Sequence, residues 1–284
     1  MGRIWLVGGT QESAQLAIAI AHSQILCTIT VTTESARSLY PNAPNLLVWV
    51  GRLTFEQLRE FFHQQQIVAT LDASHPYAVE ISKSAIALCH EFNIPYLRYE
   101  RPVLEETRGG GEGGTTWATG VGARKGVIYL DGFKTLVEGN YLEGERVLLT
   151  VGYRHLHLFM HWQERATLYA RLLPSQTTLE AAFSAGFTPD RIICLRPPIS
   201  VDLEAALWRQ WQISLVVTKA SGSAGGEDVK RKVAAKLGVS LVVITRPDVA
   251  YGLQTSDLLE ALEFCRKYSD SQLSGVQVIC RGNS

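Results

Sequence analysis

This sequence of 284 residues lacks the features that mark nucleic-acid-binding and membrane proteins. Its formal net charge is zero, with 27 basic and 27 acidic residues and no dominant basic patch, so nucleic acid is not expected as a partner. No apolar run reaches the length of a membrane span, which argues against a membrane partner. No signal-peptide pattern precedes the first apolar segment at 3–7, and the expected location is cytoplasmic.

Cysteine is scarce, and a set of metal ligands is not evident. The five cysteines form no C-x-x-C motif, and most lie within apolar strand or helix patterns. Small buried thiols of this kind are typical of a reducing compartment, which again favours the cytoplasm. His155, His157 and His161 form a small cluster, but the sequence offers no clear acidic or cysteine partners for them. We therefore expect no metal site.

Several nucleotide-binding and catalytic motifs are incomplete or absent. Gly8 and Gly9 lack the rest of the G-x-G-x-x-G fingerprint, so spacing alone is weak support for dinucleotide binding. Lys219 precedes the glycines at 222–226 rather than following them, which breaks the P-loop pattern and disfavours ATP hydrolysis. The Gly-x-Ser-x-Gly elbow is also absent, which argues against a hydrolase of that type.

Alternating strand and helix patterns run through most of the chain. They predict an α/β fold with mostly parallel sheets and helices on both faces. The length favours two domains, and a second alternating series begins at Arg146, so we expect domains at 1–145 and 146–284. Eight glycines between 108 and 126 predict a flexible loop or insertion. A phosphate cradle there is the less favoured interpretation, because no apolar strand leads directly into it.

Polar residues follow two of the predicted buried strands. The segment 72–78 follows the strand 67–71, and the segment 219–226 follows the strand 214–218. In open α/β sheets, ligands bind at the carboxyl ends of the strands. Two such edges on two sheets predict a ligand cleft between the domains.

His75 and Asp72 are the candidate catalytic residues. His75 stands before a proline, which biases its backbone toward an extended conformation at the end of a strand. From a cleft it can donate a hydrogen bond or a proton, and Asp72 can orient it or contact a hydroxyl group. The alternative is that Asp72 and Ser74 only cap the helix that begins near Tyr77.

The turn after the first strand is a candidate phosphate site. Gly8 and Gly9 let the backbone approach a ligand closely, and Thr10, Glu12 and Ser13 open a helix whose first amides are free for an anion. The alternative is a tight turn that Thr10 caps.

The segment after the second strand is a candidate ribose site. Glu34 suits the free 2′-hydroxyl of NADH, whereas Thr33 and Arg37 suit the 2′-phosphate of NADPH. The choice between NADPH and NADH therefore stays open. The alternative is an N-cap at Thr33 or Ser35, with Glu34 in the first turn of the helix.

Four blocks of sequence together resemble one known family. In chain order they are Gly8-Gly9-Thr10, Asp72-Ala73-Ser74-His75-Pro76-Tyr77-Ala78, Pro95-Tyr96-Leu97-Arg98-Tyr99-Glu100-Arg101-Pro102 and Thr218-Lys219-Ala220-Ser221-Gly222. On these residues the chain resembles the precorrin-6A reductase family of cobalamin (vitamin B12) biosynthesis, including the reductases of its cobalt-containing route. It departs from the family pattern at 196–200 and at Ala220.

The resemblance implies two Rossmann-like domains with NADPH or NADH and a tetrapyrrole, a corrin precursor, between them. It implies reduction of one double bond of the macrocycle, with His75 as the candidate proton donor. Ser74, His75 and Tyr77 join the cofactor candidates. Because the macrocycle carries many carboxylates, basic groups are candidate substrate contacts. The predicted substrate-binding residues are Arg98, Arg101, Lys219, Ser221 and Gly222.

Two other function classes stay open beside this one. Another Rossmann-type reductase is disfavoured, because the Tyr-x-x-x-Lys pair of short-chain reductases is missing from the helix after the fourth strand. A non-catalytic dinucleotide-binding sensor predicts cofactor binding without turnover. The sequence does not separate a cobalt-containing from a metal-free substrate, and we expect a monomer or a small homo-oligomer.

Overall fold

The computed structural model describes residues 2–102 and 126–270, and it has the predicted α/β architecture. The predicted glycine-rich loop at 108–126, apart from Gly126, and Cys280 lie outside the described residues. The strands are β1 (Arg3–Val7), β2 (Cys27–Val31), β3 (Leu46–Val50), β4 (Ile67–Asp72), β5 (Tyr96–Tyr99), β6 (Val127–Leu130), β7 (Arg146–Leu149), β8 (Thr167–Leu172), β9 (Ile192–Cys194), β10 (Leu215–Lys219), β11 (Ser240–Ile244) and β12 (Gln254–Thr255).

Helices follow most of these strands. They are α1 (Gln11–His22), α2 (Glu34–Arg37), α3 (Phe55–Gln64), α4 (Val79–Glu91), α5 (Phe133–Glu138), α6 (Gln176–Ser184), α7 (Val201–Gln210), α8 (Glu227–Leu237) and α9 (Leu258–Asp270). Short 3₁₀ helices span Tyr153–Trp162, Pro189–Arg191 and Ser223–Gly225. Within the described ranges, no helix combines the length and the apolar character needed to cross a bilayer.

The first sheet has the strand order β12-β5-β4-β1-β2-β3, and its recorded pairs are all parallel. Read from β3, this is the doubly wound order of dinucleotide-binding sheets. Alternate residues of β1 face opposite helical layers, because successive side chains of a strand point to opposite faces. Ile4 and Leu6 pack with α1 and α9, whereas Trp5 and Val7 pack with α3 and α4. Helices therefore cover both faces, as predicted.

Capping side chains fix where the helices of this unit begin. Thr54 Oγ1 accepts a hydrogen bond from the backbone N–H of Gln57 at 3.3 Å and so caps α3. Thr10 forms an equivalent capping box at the start of α1. Such caps satisfy backbone donors that have no partner within the helix.

The second sheet repeats this topology with its own strands. Its order is β6-β11-β10-β7-β8-β9, and its recorded pairs are again all parallel. Strands β7 to β11 occupy the same relative places as the first five strands of the chain. Trp208 of α7 and Val233 of α8 are buried against this sheet with Val216 and Leu241.

The two units do not divide at the predicted boundary of 145/146. One contains the described residues 2–102 and 248–270, and the other contains the described residues 126–247. The reason is strand pairing at the sheet edges. β6 pairs with β11 of the second sheet, although we placed it in the first domain, and β12 pairs with β5 of the first sheet, although we placed it in the second. Each sheet thus takes its sixth strand from a distant part of the chain.

Candidate functional site

The topology of the first unit places a small pocket where β1 adjoins β4. The connections leave these two strands toward opposite sides of the sheet, so their carboxyl ends border a crevice, which is where ligands bind in open α/β sheets. The pocket is lined by residues at or beyond the ends of β1, β4 and β5, namely Thr10, Glu12, Ala73, Ser74, Pro76, Arg98, Tyr99, Glu100 and Arg101. The fold thus brings together three sequence blocks that are far apart along the chain.

Asp72, at the end of β4, is buried beneath this pocket's wall. Its side chain is 0% exposed. Oδ1 accepts hydrogen bonds from the backbone N–H of Ser74 at 3.0 Å and from Arg98 Nη1 at 2.9 Å. Oδ2 accepts from Ser82 Oγ at 2.6 Å and from the Tyr96 hydroxyl at 2.7 Å. Four donors fix the carboxylate inside the protein, so Asp72 has a supporting position rather than a place in the pocket lining.

Arg98 is the positive partner in this buried cluster. Its guanidinium is 0% exposed, and Nε donates to Glu100 Oε2 at 3.0 Å. Nη2 donates to the Ser74 carbonyl oxygen at 3.1 Å, and the Tyr251 ring centroid lies 4.8 Å from Cζ. Burial alone would lower the pKa of Arg98, but Asp72 and Glu100 raise it above its usual value. The predicted substrate contact at Arg98 is thus replaced by a role in holding the ends of β4 and β5 together.

His75 lies beside the pocket rather than in its lining. It is exposed, whereas its neighbours Ser74 and Pro76 line the pocket. His75 Nδ1 accepts a hydrogen bond from the backbone N–H of Tyr77 at 3.3 Å, so in the neutral imidazole the proton lies on Nε2. Helix α4 is capped at Ala78 without a side-chain hydrogen bond, and the alternative capping role for Asp72 and Ser74 is therefore not found.

The turn between β1 and α1 is supported from below by side chains. Gly9 has φ +101° and no atom within 4 Å of the place a Cβ would take, a conformation that favours glycine. Thr10 Oγ1 accepts from Ser13 N–H at 3.0 Å and donates to the Ala73 carbonyl at 2.9 Å. Ser13 is 0% exposed, so its hydroxyl supports the turn instead of facing a cofactor as predicted.

Tyr40, which the sequence analysis missed, completes this turn. Its hydroxyl accepts a hydrogen bond from the backbone N–H of Gly9 at 2.6 Å and lies 2.6 Å from Ser13 Oγ. Burial raises the pKa of Tyr40 above its usual value. A Cβ on Gly8 would lie 2.3 Å from this hydroxyl, so a larger residue there would displace it. Nothing in the local sequence marks Tyr40, because its partner lies 31 residues away.

An ion pair joins two walls of the pocket. Arg101 Nη1 lies 2.7 Å from Glu12 Oε1, and the two side chains are 14% and 16% exposed. Burial alone would raise the pKa of Glu12, but the hydrogen bond and the charge of Arg101 lower it below the usual value. A ligand carboxylate could therefore bind Arg101 only in competition with Glu12.

The candidate ribose residues lie together on one short helix. Thr33 caps α2, and its Oγ1 accepts from the backbone N–H of Ala36 at 3.2 Å. Glu34 follows in the first turn, so the capping alternative is found here. Glu34 and Arg37 are exposed, so capping by Thr33 does not preclude contact of their side chains with a ligand.

The carboxyl edge of the second sheet is positively charged. Lys219 ends β10, and its Nζ lies 5.8 Å from the centroid of the Phe133 ring, on which His155 stacks at 4.1 Å. Burial lowers the pKa of Lys219 to about 8, and Arg154 acts in the same direction. Burial also lowers the pKa of His155 to about 4, with Lys219 adding to the shift. At neutral pH the charges of this cluster are those of Lys219 and Arg154.

Buried charges shape the loop that follows Lys219. The backbone N–H of Gly222 donates to Oε2 of Glu227, which is 0% exposed, at 2.8 Å. Lys230 Nζ donates to the carbonyl oxygens at 225 and 226, both at 3.0 Å. Ser221 is 8% exposed. Ser221 and Gly222 thus belong to an internally bonded loop, which differs from the predicted direct contacts with substrate.

The described ranges contain no group of three or more His, Cys, Asp or Glu that could hold a metal ion. His157 and His161 lie in the 3₁₀ helix Tyr153–Trp162. The supporting residues that sequence reasoning missed are Tyr40, Tyr96, Glu227 and Lys230. The sequence did contain a signal for Glu227 and Lys230. Glu227 comes directly after two adjacent glycines, and because Lys230 stands three residues further on, the two share one face of α8.

Nearly the whole chain is similar to known proteins. Residues 3–266 match the family model described as precorrin-6x reductase CbiJ/CobK. A cobalt-precorrin-6A reductase from Synechocystis sp. is 43% identical over 274 residues, which cover 95% of this chain and 98% of that protein. A cobalt-precorrin-6A reductase from Priestia megaterium is 33% identical over 265 residues, which cover 91% and 96%.

A solved structure shares the fold. The structure described as CobK precorrin-6A reductase superposes with a TM-score of 0.71 at 23% identity, and the alignment covers 94% of this chain and 97% of that one. It supports a fold of two Rossmann-like domains.

Proposed function

The chain belongs to the precorrin-6x reductase family, and we propose on that premise that it reduces one double bond of the precorrin-6A macrocycle, or of its cobalt form, in cobalamin biosynthesis. It is then an oxidoreductase that acts on a CH–CH group. The observation that carries this proposal is the similarity to reductases of that name over nearly the whole chain, including the segments that line the pocket.

The residues at the end of β1 fit the phosphates of a dinucleotide. Gly9 is exposed, and the space above its backbone is open, so a phosphate can approach closely there. Helix α1 has 12 residues, and the positive end of its dipole faces the same turn. Gly8, Gly9 and Thr10 would hold the pyrophosphate, with Glu12 beside them in the pocket wall.

The donor would be NADPH or NADH, bound with its ribose near α2. Arg37 and the Thr33 hydroxyl suit a 2′-phosphate, and Glu34 suits a free 2′-hydroxyl. When bound, either cofactor supplies a hydride for the macrocycle double bond. The protein's own contribution is to orient both ligands and to shape the charge around them.

The polar residues after β4 would serve the proton side of the reaction. His75 is our proposed proton donor, because its Nδ1 is anchored on the Tyr77 N–H and its Nε2 carries the proton. Asp72 acts as a positioning residue, because its carboxylate holds the Ser74 N–H and Arg98 without reaching the surface.

Basic groups are the candidate partners for the carboxylates of the substrate, and each unit offers one candidate. Lys219, with Arg154 nearby, provides positive charge at the edge of the second sheet. Arg101 is the basic candidate of the first unit, where Glu12 already binds it.

A His75→Ala variant tests the proton donor. If His75 delivers the proton, turnover falls by about tenfold or more, while the Kd of the cofactor changes little. Steady-state kinetics and a cofactor titration separate the two effects. Unchanged turnover would remove His75 from the catalytic role.

Turnover under anaerobic conditions tests the function itself. Purified protein is given precorrin-6A, and separately its cobalt form, with NADPH or with NADH, while the macrocycle spectrum and the nicotinamide absorbance are followed. A spectral shift matched by loss of reduced cofactor supports the reductase and identifies its preferred pair. Cofactor binding without turnover on either substrate would instead favour a sensor or another reductase.

A further inference from the structure

We propose that the Tyr40 hydroxyl is the positioning group of the phosphate-binding turn, and that it sets the affinity for the cofactor without taking part in the chemical step. The inference rests on the proposed function, because it assumes that the turn at 8–10 holds phosphates. Tyr40 lies outside the four sequence blocks that resemble the family.

The hydrogen bonds around Tyr40 can be assigned one by one. Ser13 Oγ donates its single proton to the Thr10 carbonyl at 2.7 Å and accepts from the Thr10 N–H at 3.0 Å. The proton between Ser13 and Tyr40 must therefore come from the tyrosine, and the tyrosine oxygen accepts from the Gly9 N–H. The chain of donors runs from Gly9 through Tyr40 and Ser13 to Thr10, and it closes both ends of the turn.

This network restrains a peptide that would otherwise be loose. Gly9 has no Cβ and no neighbour within 4 Å of its place, so its backbone has an unusually wide choice of conformations. A turn that must be ordered on binding has lower affinity, and a turn that is ordered beforehand avoids that loss. Tyr40 is well suited to this role, because it is 8% exposed and its ring lies in the core with Ile29.

The same segment carries the ribose candidates. The backbone N–H of Tyr40 donates to the Arg37 carbonyl at 3.1 Å, so Tyr40 follows directly on α2. The pyrophosphate is common to NADPH and NADH, whereas only NADPH has the 2′-phosphate that Arg37 would meet. Loss of the Tyr40 hydroxyl should therefore weaken both cofactors equally, and loss of Arg37 should weaken NADPH selectively.

The test is Tyr40→Phe, with Tyr169→Phe as a matched control. Tyr169 is 6% exposed, and its hydroxyl accepts from Arg146 Nη2 at 2.6 Å in the second unit. Fluorescence titration gives the Kd of each cofactor, steady-state kinetics give kcat, and thermal unfolding gives Tm. Tyr40→Phe is expected to raise both Kd values by roughly three- to tenfold with kcat nearly unchanged. Tyr169→Phe is expected to lower Tm without changing either Kd.

A second variant approaches the same contact from the other side. Gly8→Ala would place a Cβ 2.3 Å from the Tyr40 hydroxyl and displace it, so it should raise both Kd values as well. Combined with Tyr40→Phe, its effect should be less than additive.

Unchanged or tighter binding by Tyr40→Phe overturns the inference, because tighter binding would mean that the hydroxyl competes with phosphate. Fully additive effects of the two variants overturn it as well. If the wild-type protein binds neither cofactor, the proposed function fails and this inference fails with it. A wild-type protein that binds, beside a variant that binds equally well, overturns the inference alone.

Discussion

The two sheets share one strand order, yet the charged groups at their carboxyl edges differ. In the first unit a fully buried carboxylate meets a fully buried guanidinium, Asp72 with Arg98 at 2.9 Å. In the second unit burial and the nearby Arg154 lower the pKa of Lys219, while Lys230 lies near Arg171 and also near the carboxylates of Glu204, Glu227 and Asp228. Topology therefore places ligand sites, but it does not determine their charge.

This difference suggests a division of labour between the two edges. The buried pair in the first unit is compensated and has its donors satisfied, so it gives a fixed wall for the pocket. The lysine-bearing edge keeps positive charge that an anionic ligand can neutralise.

The largest expected effect comes from breaking the buried pair. Asp72→Asn keeps the shape of the side chain but leaves Arg98 with less compensation, and removal of one partner from a buried pair typically costs about 3–5 kcal/mol of the free energy of unfolding. Urea unfolding of the full-length protein measures this loss.

The matched control is Glu91→Gln, which breaks the exposed Arg59–Glu91 pair, whose side chains are 44% and 41% exposed. Water screens that pair, so little change is expected. Equal losses in the two variants would show that burial is not what distinguishes the first unit's edge.

The next largest effect is a dependence of stability on pH that Lys230 gives to the second unit. Burial lowers the pKa of Lys230 from 10.5 to about 8, with Arg171 in the same direction and Glu204 opposing. Between these two values the unfolded state binds the extra proton, so this lysine's contribution to stability rises with pH. Relative to Lys230→Met, the free energy of unfolding of the wild-type protein should increase by on the order of 3 kcal/mol from the lower to the upper of these pH values.

Taking the difference between the two proteins is essential, because other groups titrate in the same range. Burial raises the pKa of Cys27 to about 12, so the unfolded thiol loses its proton first and stability falls with pH. The control is Lys232, whose side chain is 69% exposed. The difference in free energy of unfolding between the wild-type protein and Lys232→Met should not change with pH. If the difference for Lys230→Met also does not change with pH, burial does not lower the pKa of Lys230.

The sequence was sufficient for the local elements and insufficient for the sheet edges. The strands predicted at 67–71 and 214–218 agree within one residue at each end with Ile67–Asp72 and Leu215–Lys219, because their apolar runs are bounded by clear breaks. The sixth strand of each sheet was misassigned, since β6 and β12 pair with strands more than a hundred residues away. Such pairing depends on tertiary contacts that local patterns do not encode.

The same limit applies to the site. The polar blocks after the strands contribute walls of the pocket, as Ser74, Glu12 and Arg101 show. Which polar group faces the ligand could not be read from the blocks, because that depends on distant partners. Asp72 faces inward on account of Arg98, 26 residues away, and Ser13 faces inward on account of Tyr40, 27 residues away.

The smallest expected effect tests whether the carboxyl edge of the second sheet binds the substrate. Lys219→Met removes one charge-assisted contact, so the KM of the macrocycle should rise by about tenfold while the Kd of the cofactor stays unchanged. The wild-type KM should also rise above about pH 8, where Lys219 loses its proton, and the variant should lack that dependence.

Lys232→Met again controls for loss of a positive charge in the same unit. If Lys219→Met leaves the KM unchanged, Lys219 does not bind the macrocycle. If the variant instead changes the Kd of the cofactor, Lys219 lies at the cofactor site. Only the combination of a raised KM, an unchanged cofactor Kd and a lost pH dependence identifies Lys219 as the group that meets the substrate. That combination would make the contrast between the two edges a functional one, since the compensated edge would then serve the cofactor and the charged edge the macrocycle.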